Sequence, residues 1–208
     1  MEDVLEIYHR PYNPKFPVVC MDEKPIQMLK EIRTPQFVAP AKPARFDCEY
    51  ERNGTASLFL FSEPLKGQTR VEAHPQRTMA DWAHQIQRLV ELDYPLAEKI
   101  ILVCDNLNTH RPAALYQTFP PETARRILNR LEIHYTPKHG SWLNMAEIEL
   151  SVLSKQCLSR RIPDFSTLET EIKAWNLARN LEVPTISWQF STDDARIKLK
   201  QLYPIFSD

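Results

Sequence analysis

Apolar residues follow two rhythms along this chain, and their order predicts its architecture. The run Val18-Val19-Cys20-Met21 reads as a short, buried strand ending at Asp22. Before it, Pro11, Pro14 and Pro17 predict an extended lead-in over 1–16. The stretch 34–43 carries three prolines and reads as a loop. Residues 45–51 alternate loosely and precede Asn53-Gly54, a hairpin-turn signal, so 55–61 reads as the returning strand. A third strand is expected over 69–73.

The rhythm then changes. Thr78 is placed to cap a helix in which Trp82, Ile86, Leu89 and Val90 recur at helical spacing. Residues 99–104 form the clearest strand, apolar enough for burial on both faces, and it ends at Asp105. Short helices with proline in their first turns are expected over 112–118 and 121–130. A short strand over 132–135 and a longer helix over 141–158 follow. Ser166-x-x-Glu169 reads as a capping box opening a helix with Leu168, Ile172 and Trp175 on one face. Ile186, Trp188 and Phe190 alternate like a strand, and 193–203 reads as a last helix. A meander followed by βα units implies an α/β chain with a mixed sheet and helices on its faces.

Composition narrows the chemistry. The 208 residues contain three glycines, Gly54, Gly67 and Gly140, none near another. Phosphate-binding glycine loops, dinucleotide fingerprints and nucleophile elbows in standard form are thereby excluded. The four cysteines are scattered, without a C-x-x-C pair, and suit reduced thiols in a cytoplasmic protein. No apolar run approaches membrane-spanning length, and the first residues do not resemble a signal peptide. Net charge is −1, yet the stretch 125–161 holds seven Lys or Arg against three Glu. A local basic stretch of that kind suits a polyanion, and it equally suits a solvated helix face.

Two apolar strands each end in an aspartate, Asp22 and Asp105. If the strands are parallel neighbours, both carboxylates emerge at one sheet edge, where their repulsion calls for a cation. Mg²⁺, bound through carboxylates and phosphate oxygens, fits that need. A lone aspartate after a strand is more often only a turn former. A third carboxylate comes from the expected helix 141–158. Its apolar stripe, Leu143, Ala146, Leu150, Leu153 and Cys157, has Glu147 at one border and Glu149 at the other. Periodicity does not choose between them.

These residues together resemble a family. Met21-Asp22-Glu23-Lys24, Cys104-Asp105-Asn106-x-x-Thr109-His110 and the segment from Tyr135 through Lys138-His139-Gly140-Ser141-Trp142-Leu143-Asn144 to Glu147 are similar to the DDE transposases. The bacterial insertion-sequence group called IS-six-thirty, related to the mariner elements, is the branch they most resemble. The tail from Trp188 to Leu199 resembles that branch too. The resemblance implies a ribonuclease-H-like fold with a five-stranded mixed sheet, in which the first and fourth strands are parallel neighbours. It divides the chain into the lead-in 1–16, a catalytic domain over 17–162 and a helical extension over 163–208 packed on the same domain.

It also implies a site. Asp22, Asp105 and Glu147, chosen over Glu149 by the Leu-Asn-x-x pattern, would be the catalytic and metal-binding acids for two Mg²⁺ ions, with Mn²⁺ able to substitute. Asn106 and His110 would orient water or phosphate, while His110 also suits loop packing. Lys138, His139, Trp142 and Asn144 would contact DNA or orient the site, and Trp142 equally suits the core. Glu23 and Lys24 read as pairing with each other or with solvent, and His134 with His139 lacks the cysteine that zinc would favour. The implied reaction is cleavage at transposon ends and strand transfer into target DNA at TA steps. A homodimer, or a partner carrying a separate DNA-binding module, is expected. No helix-turn-helix precedes Asp22, so a catalytic half without end recognition is expected. A non-catalytic fragment that binds DNA or a transposase is the alternative.

Overall fold

The computed structural model describes residues 1–33 and 48–203. The expected loop at 34–43 and the start of the 45–51 strand lie outside them.

Five strands form one sheet: β1 (Val18–Glu31), β2 (Tyr50–Glu63), β3 (Gln68–His74), β4 (Ile100–Cys104) and β5 (Leu131–Tyr135). Their spatial order is β3-β2-β1-β4-β5. β1, β2 and β3 pair antiparallel, whereas β1–β4 and β4–β5 are parallel. The expected mixed sheet is therefore present, with the first and fourth strands adjacent.

Strand alternation sorts the sheet into two cores. Val19, Met21, Phe59, Phe61, Leu102 and Cys104 face one side. There they meet α2 (Met79–Arg88), α3 (Pro112–Thr118) and α4 (Pro121–Leu128), with Trp82 of α2 fully buried. Cys20, Leu58, Leu60, Ile101 and Val103 face the other side. Covering them are α1 (Glu2–Tyr8), α5 (Ala146–Gln156), α6 (Phe165–Glu182) and α7 (Thr192–Lys198). Thr78 caps α2 as expected, in a reciprocal box with Asp81. No helix among the described residues is long and apolar enough to cross a membrane.

Several expectations are corrected. Residues 2–8 are helical, not extended, because Val4, Leu5, Ile7 and Tyr8 share one buried face. The prolines of 11–17 act only after that helix has ended. β1 does not stop at Asp22. Its parallel pairing with β4 ends near Cys20↔Val103, but β2 continues to pair it through Glu31↔Tyr50. Asn53-Gly54 makes no hairpin. The register passes from Gln27↔Thr55 to Leu29↔Arg52, so Met28 alone opposes the Asn-Gly pair. Gly54 supplies the positive φ, +86°, that such a bulge requires.

The helix expected over 141–158 is interrupted. A single tight turn over Ser141–Leu143 is followed by an extended Asn144, and α5 starts at Ala146. α6 is capped by Asp164, whose carboxylate accepts from the Thr167 amide at 2.8 Å, and not by Ser166. Residues 186–190 form no strand. Ile186, Trp188 and Phe190 instead pack half-buried on the α1/α5/α6 core.

Candidate active site

β1 and β4 position the two aspartates. In the register Cys20↔Val103, two further residues bring Asp22 level with Asp105. Cys20 faces the α5 core, so alternation turns Asp22 toward that face too, whereas Asp105, past the end of β4, bonds His110. β4 ends at Cys104, and the chain from Asp105 leaves the sheet. The two carboxylates thus stand where the parallel pairing opens.

α5 brings the third. Asn144 is buried and donates its amide to the Met21 carbonyl at 2.8 Å, tying the start of α5 to β1 beside Asp22. Glu147, in the first turn of α5, faces a cleft of about 520 Å³ lined also by Asp22, Glu23, Lys24, Ser151 and Lys155. Burial pushes Asp22 up to about 6, and the nearby charges of Asp105 and Glu147 push it the same way.

Glu149 is 1% exposed and is held in a two-pronged ion pair by Arg179 of α6, at 2.8 and 2.9 Å. It locks α5 to α6 and does not reach the cleft. The choice that periodicity left open is thus resolved in space: Glu147 faces Asp22, and Glu149 faces the helix layer.

His110 is fully buried. Its Nδ1 lies 2.5 Å from Asp105 Oδ1, and its Nε2 lies 2.8 Å from Glu23 Oε1. The ring stacks on Trp82 with centroids 5.7 Å apart. Burial opposes its charge, but the two carboxylates outweigh burial and raise its pKa to about 9. Glu23 is therefore a site residue that sequence reasoning set aside. The only available signal was its place next to Asp22 in a strand, which sends the two side chains to opposite faces of the sheet.

The remaining candidates separate. Asn106, Lys138 and His139 are exposed, and His139 adopts a left-handed φ of +64°. Trp142 is 44% exposed, edge-on to Phe190 at 5.8 Å, and so stands outside the core. Asn144 is occupied within the protein by Met21 and by the Ala146 amide. His134 is taken by Asp3 and Glu132.

Among the described residues, no three His, Cys, Asp or Glu side chains are gathered closely enough to chelate a metal. The donor set nevertheless fits a hard divalent cation. Asp22, Asp105 and Glu147 offer only oxygens, and the repulsion that Asp105 and Glu147 exert on Asp22 is opposed by His110.

Comparisons place this geometry in a family. Residues 17–169 match the family model described as DDE superfamily endonuclease. No curated protein matches the chain. The crystal structure of the Mos1 mariner paired end complex with Mn superposes with a TM-score of 0.61 at 19% identity, over 88% of this chain and 54% of that one. The Mos1 strand transfer complex gives 0.58 at 18% identity, over 85% and 51%. The isolated catalytic domain of Mos1 mariner transposase gives 0.56 at 16% identity, over 88% and 80%. The chain spans about half the length of the Mos1 chains in the DNA complexes. The shared feature is the ribonuclease-H-like fold, a five-stranded mixed sheet flanked by helices. With most of its length matched by the family model, the chain belongs to the DDE superfamily endonucleases.

Proposed function

We propose that this chain is the catalytic domain of a DNA transposase of the bacterial insertion-sequence (IS-six-thirty) branch. It cleaves phosphodiester bonds at transposon ends and joins the freed 3′-hydroxyl to target DNA at TA steps. The observation that carries the reading is the convergence on Asp22, two residues past the last β1–β4 pair, of Asp105, directly after β4, and of Glu147, which shares its cleft from α5. Related Mos1 complexes were solved with a transposon end, as a strand transfer complex, and with Mg or Mn.

Asp22, Asp105 and Glu147 would hold two Mg²⁺ ions, for which Mn²⁺ substitutes. When bound, the ions supply Lewis-acid activation of the attacking oxygen and neutralise charge at the phosphate. The protein's own residues do the rest. Asp22 and Asp105 present fixed negative oxygens from the strand ends, and Asn144 sets the start of the helix that carries Glu147. Asn106, beside Asp105, orients water or phosphate. Lys138, His139 and Trp142, exposed between β5 and α5, offer cations to the DNA backbone and a ring to its bases. The working form is a homodimer or a pair with a separate DNA-binding module, acting on the nucleoid in the cytoplasm.

Mn²⁺ titration calorimetry and a supercoiled-plasmid nicking assay on the same samples test this. Wild type is expected to bind the metal and nick. Asp22→Ala, Asp105→Ala and Glu147→Ala are expected to lose both while staying folded. Full activity in any one of them removes that residue from the mechanism, and wild type without metal binding or nicking overturns the reading.

A further inference from the structure

We propose that Glu23 and His110 form a buried clamp that sets the orientation of Asp105, making both of them positioning residues for the metal site. The inference rests on the reading of Asp105 as a metal-binding acid.

Asp105 needs such a device. It lies just past the end of β4, outside the hydrogen-bond ladder, and its side chain is about one-third exposed. Nothing in the strand fixes its rotamer. His110, five residues on, reaches back to Oδ1 at 2.5 Å and leaves Oδ2 for a ligand.

The ring and the backbone of His110 are both held. Trp82 stacks on one face, the Tyr135 hydroxyl donates to the His110 carbonyl at 2.8 Å, and the His110 amide bonds the Leu107 carbonyl at 3.0 Å. Glu23 completes the hold through Nε2 at 2.8 Å. Glu23 comes from β1, so the clamp ties the strand that carries Asp22 to the loop that carries Asp105. His110 thus joins the two carboxylates through its two ring nitrogens. Turning the ring would break both bonds at once. The second oxygen of Glu23 has no hydrogen-bond partner and lies 3.7 Å from the Arg77 guanidinium, so the carboxylate is held from the solvent side by charge alone.

Partners that orient a metal ligand from behind change metal affinity when removed, by about 10–100-fold. The test is Mn²⁺ affinity, by calorimetry and by the Mn²⁺ electron paramagnetic resonance spectrum, with thermal unfolding on the same samples. His110→Phe keeps the ring stacked on Trp82 but removes both hydrogen bonds. It is expected to weaken Mn²⁺ binding at least about tenfold and to change the spectrum. Glu23→Gln keeps an acceptor for Nε2 and is expected to stay near wild type, whereas Glu23→Leu is expected to behave like His110→Phe. If His110→Phe does not fold, the two Glu23 variants decide. Wild-type Mn²⁺ affinity in folded His110→Phe or Glu23→Leu overturns the clamp and leaves the function standing. A wild type that binds no Mn²⁺ overturns both.

Discussion

Asn144 donates its side-chain amide to the main-chain carbonyl of Met21, so the position before Asp22 and the one three before Glu147 share a single buried hydrogen bond. The same side chain accepts from the Ala146 amide at 3.2 Å and so satisfies one of the free donors at the start of α5. Asn144→Ala removes both. A buried carbonyl left bare costs about 1–3 kcal/mol. The melting temperature is expected to fall accordingly, and metal-dependent nicking is expected to fall at least about tenfold, because Glu147 loses its register against Asp22. Unchanged nicking in a folded Asn144→Ala protein would show that the bond does not set the site.

Asp22 is held at a cost to stability. Its folded pKa, about 6, stands above its ordinary value of 3.8. The charged form is therefore disfavoured in the fold. The penalty is absent below about 3.8, grows as pH rises toward 6, and is constant above that. Asp22→Asn removes it, so the variant is expected to be more stable than wild type at pH 7 by up to about 3 kcal/mol, with the gap closing near pH 3.5. Mg²⁺ is expected to stabilise wild type at pH 7 and to have little effect on the variant. Thermal unfolding across pH, with and without Mg²⁺, checks this. Parallel profiles for the two proteins would refute it.

Much of this was legible in the sequence where one rhythm dominates. The run 100–104 is buried on both faces, and the capped helix at Thr78 forms as its spacing predicts. The elements misread are those in which a distant partner overrides a local signal. Asn53-Gly54 bulges because β1 extends alongside it, and residues 2–8 coil because their apolar face has a core to enter. The three carboxylates of the candidate site were readable because each follows an apolar run or a patterned turn. Glu23 was not, since its value comes from His110, 87 residues away.

Glu147 and Glu149 stand in opposite settings on one helix, one lining a cleft and the other buried against Arg179. Glu147→Gln is expected to abolish nicking with little change in melting temperature, since its side chain faces the open cleft. Arg179→Ala leaves the Glu149 carboxylate buried without its partner, at a cost of about 3–5 kcal/mol. That loss should appear in unfolding, and Glu149→Gln should lose less because it removes the charge. A nicking defect confined to a stable Glu149→Gln protein would reverse the assignment of the two glutamates.

β3 is an edge strand, and an unpaired edge invites pairing with another chain. Here α6 takes the place of the missing strand. The Thr69 and Val71 amides donate to the side chains of Asn180 and Asn176 at 2.8 and 3.2 Å. Both asparagines in turn donate to the Thr69 carbonyl at 2.7 Å. Four residues apart on one helix, they present two amides at the spacing the strand needs. Asn176→Leu with Asn180→Leu keeps the volume and removes the bonds. Hydrogen exchange at the Thr69 and Val71 amides is expected to speed up strongly, and light scattering is expected to show concentration-dependent association beyond that of wild type. Because the cleft lies beyond β2, across the sheet, nicking by the fraction not associated through this edge is expected to persist. Exchange at Thr69 and Val71 as slow as in wild type would mean that packing of α6 protects the edge and that the asparagines do not.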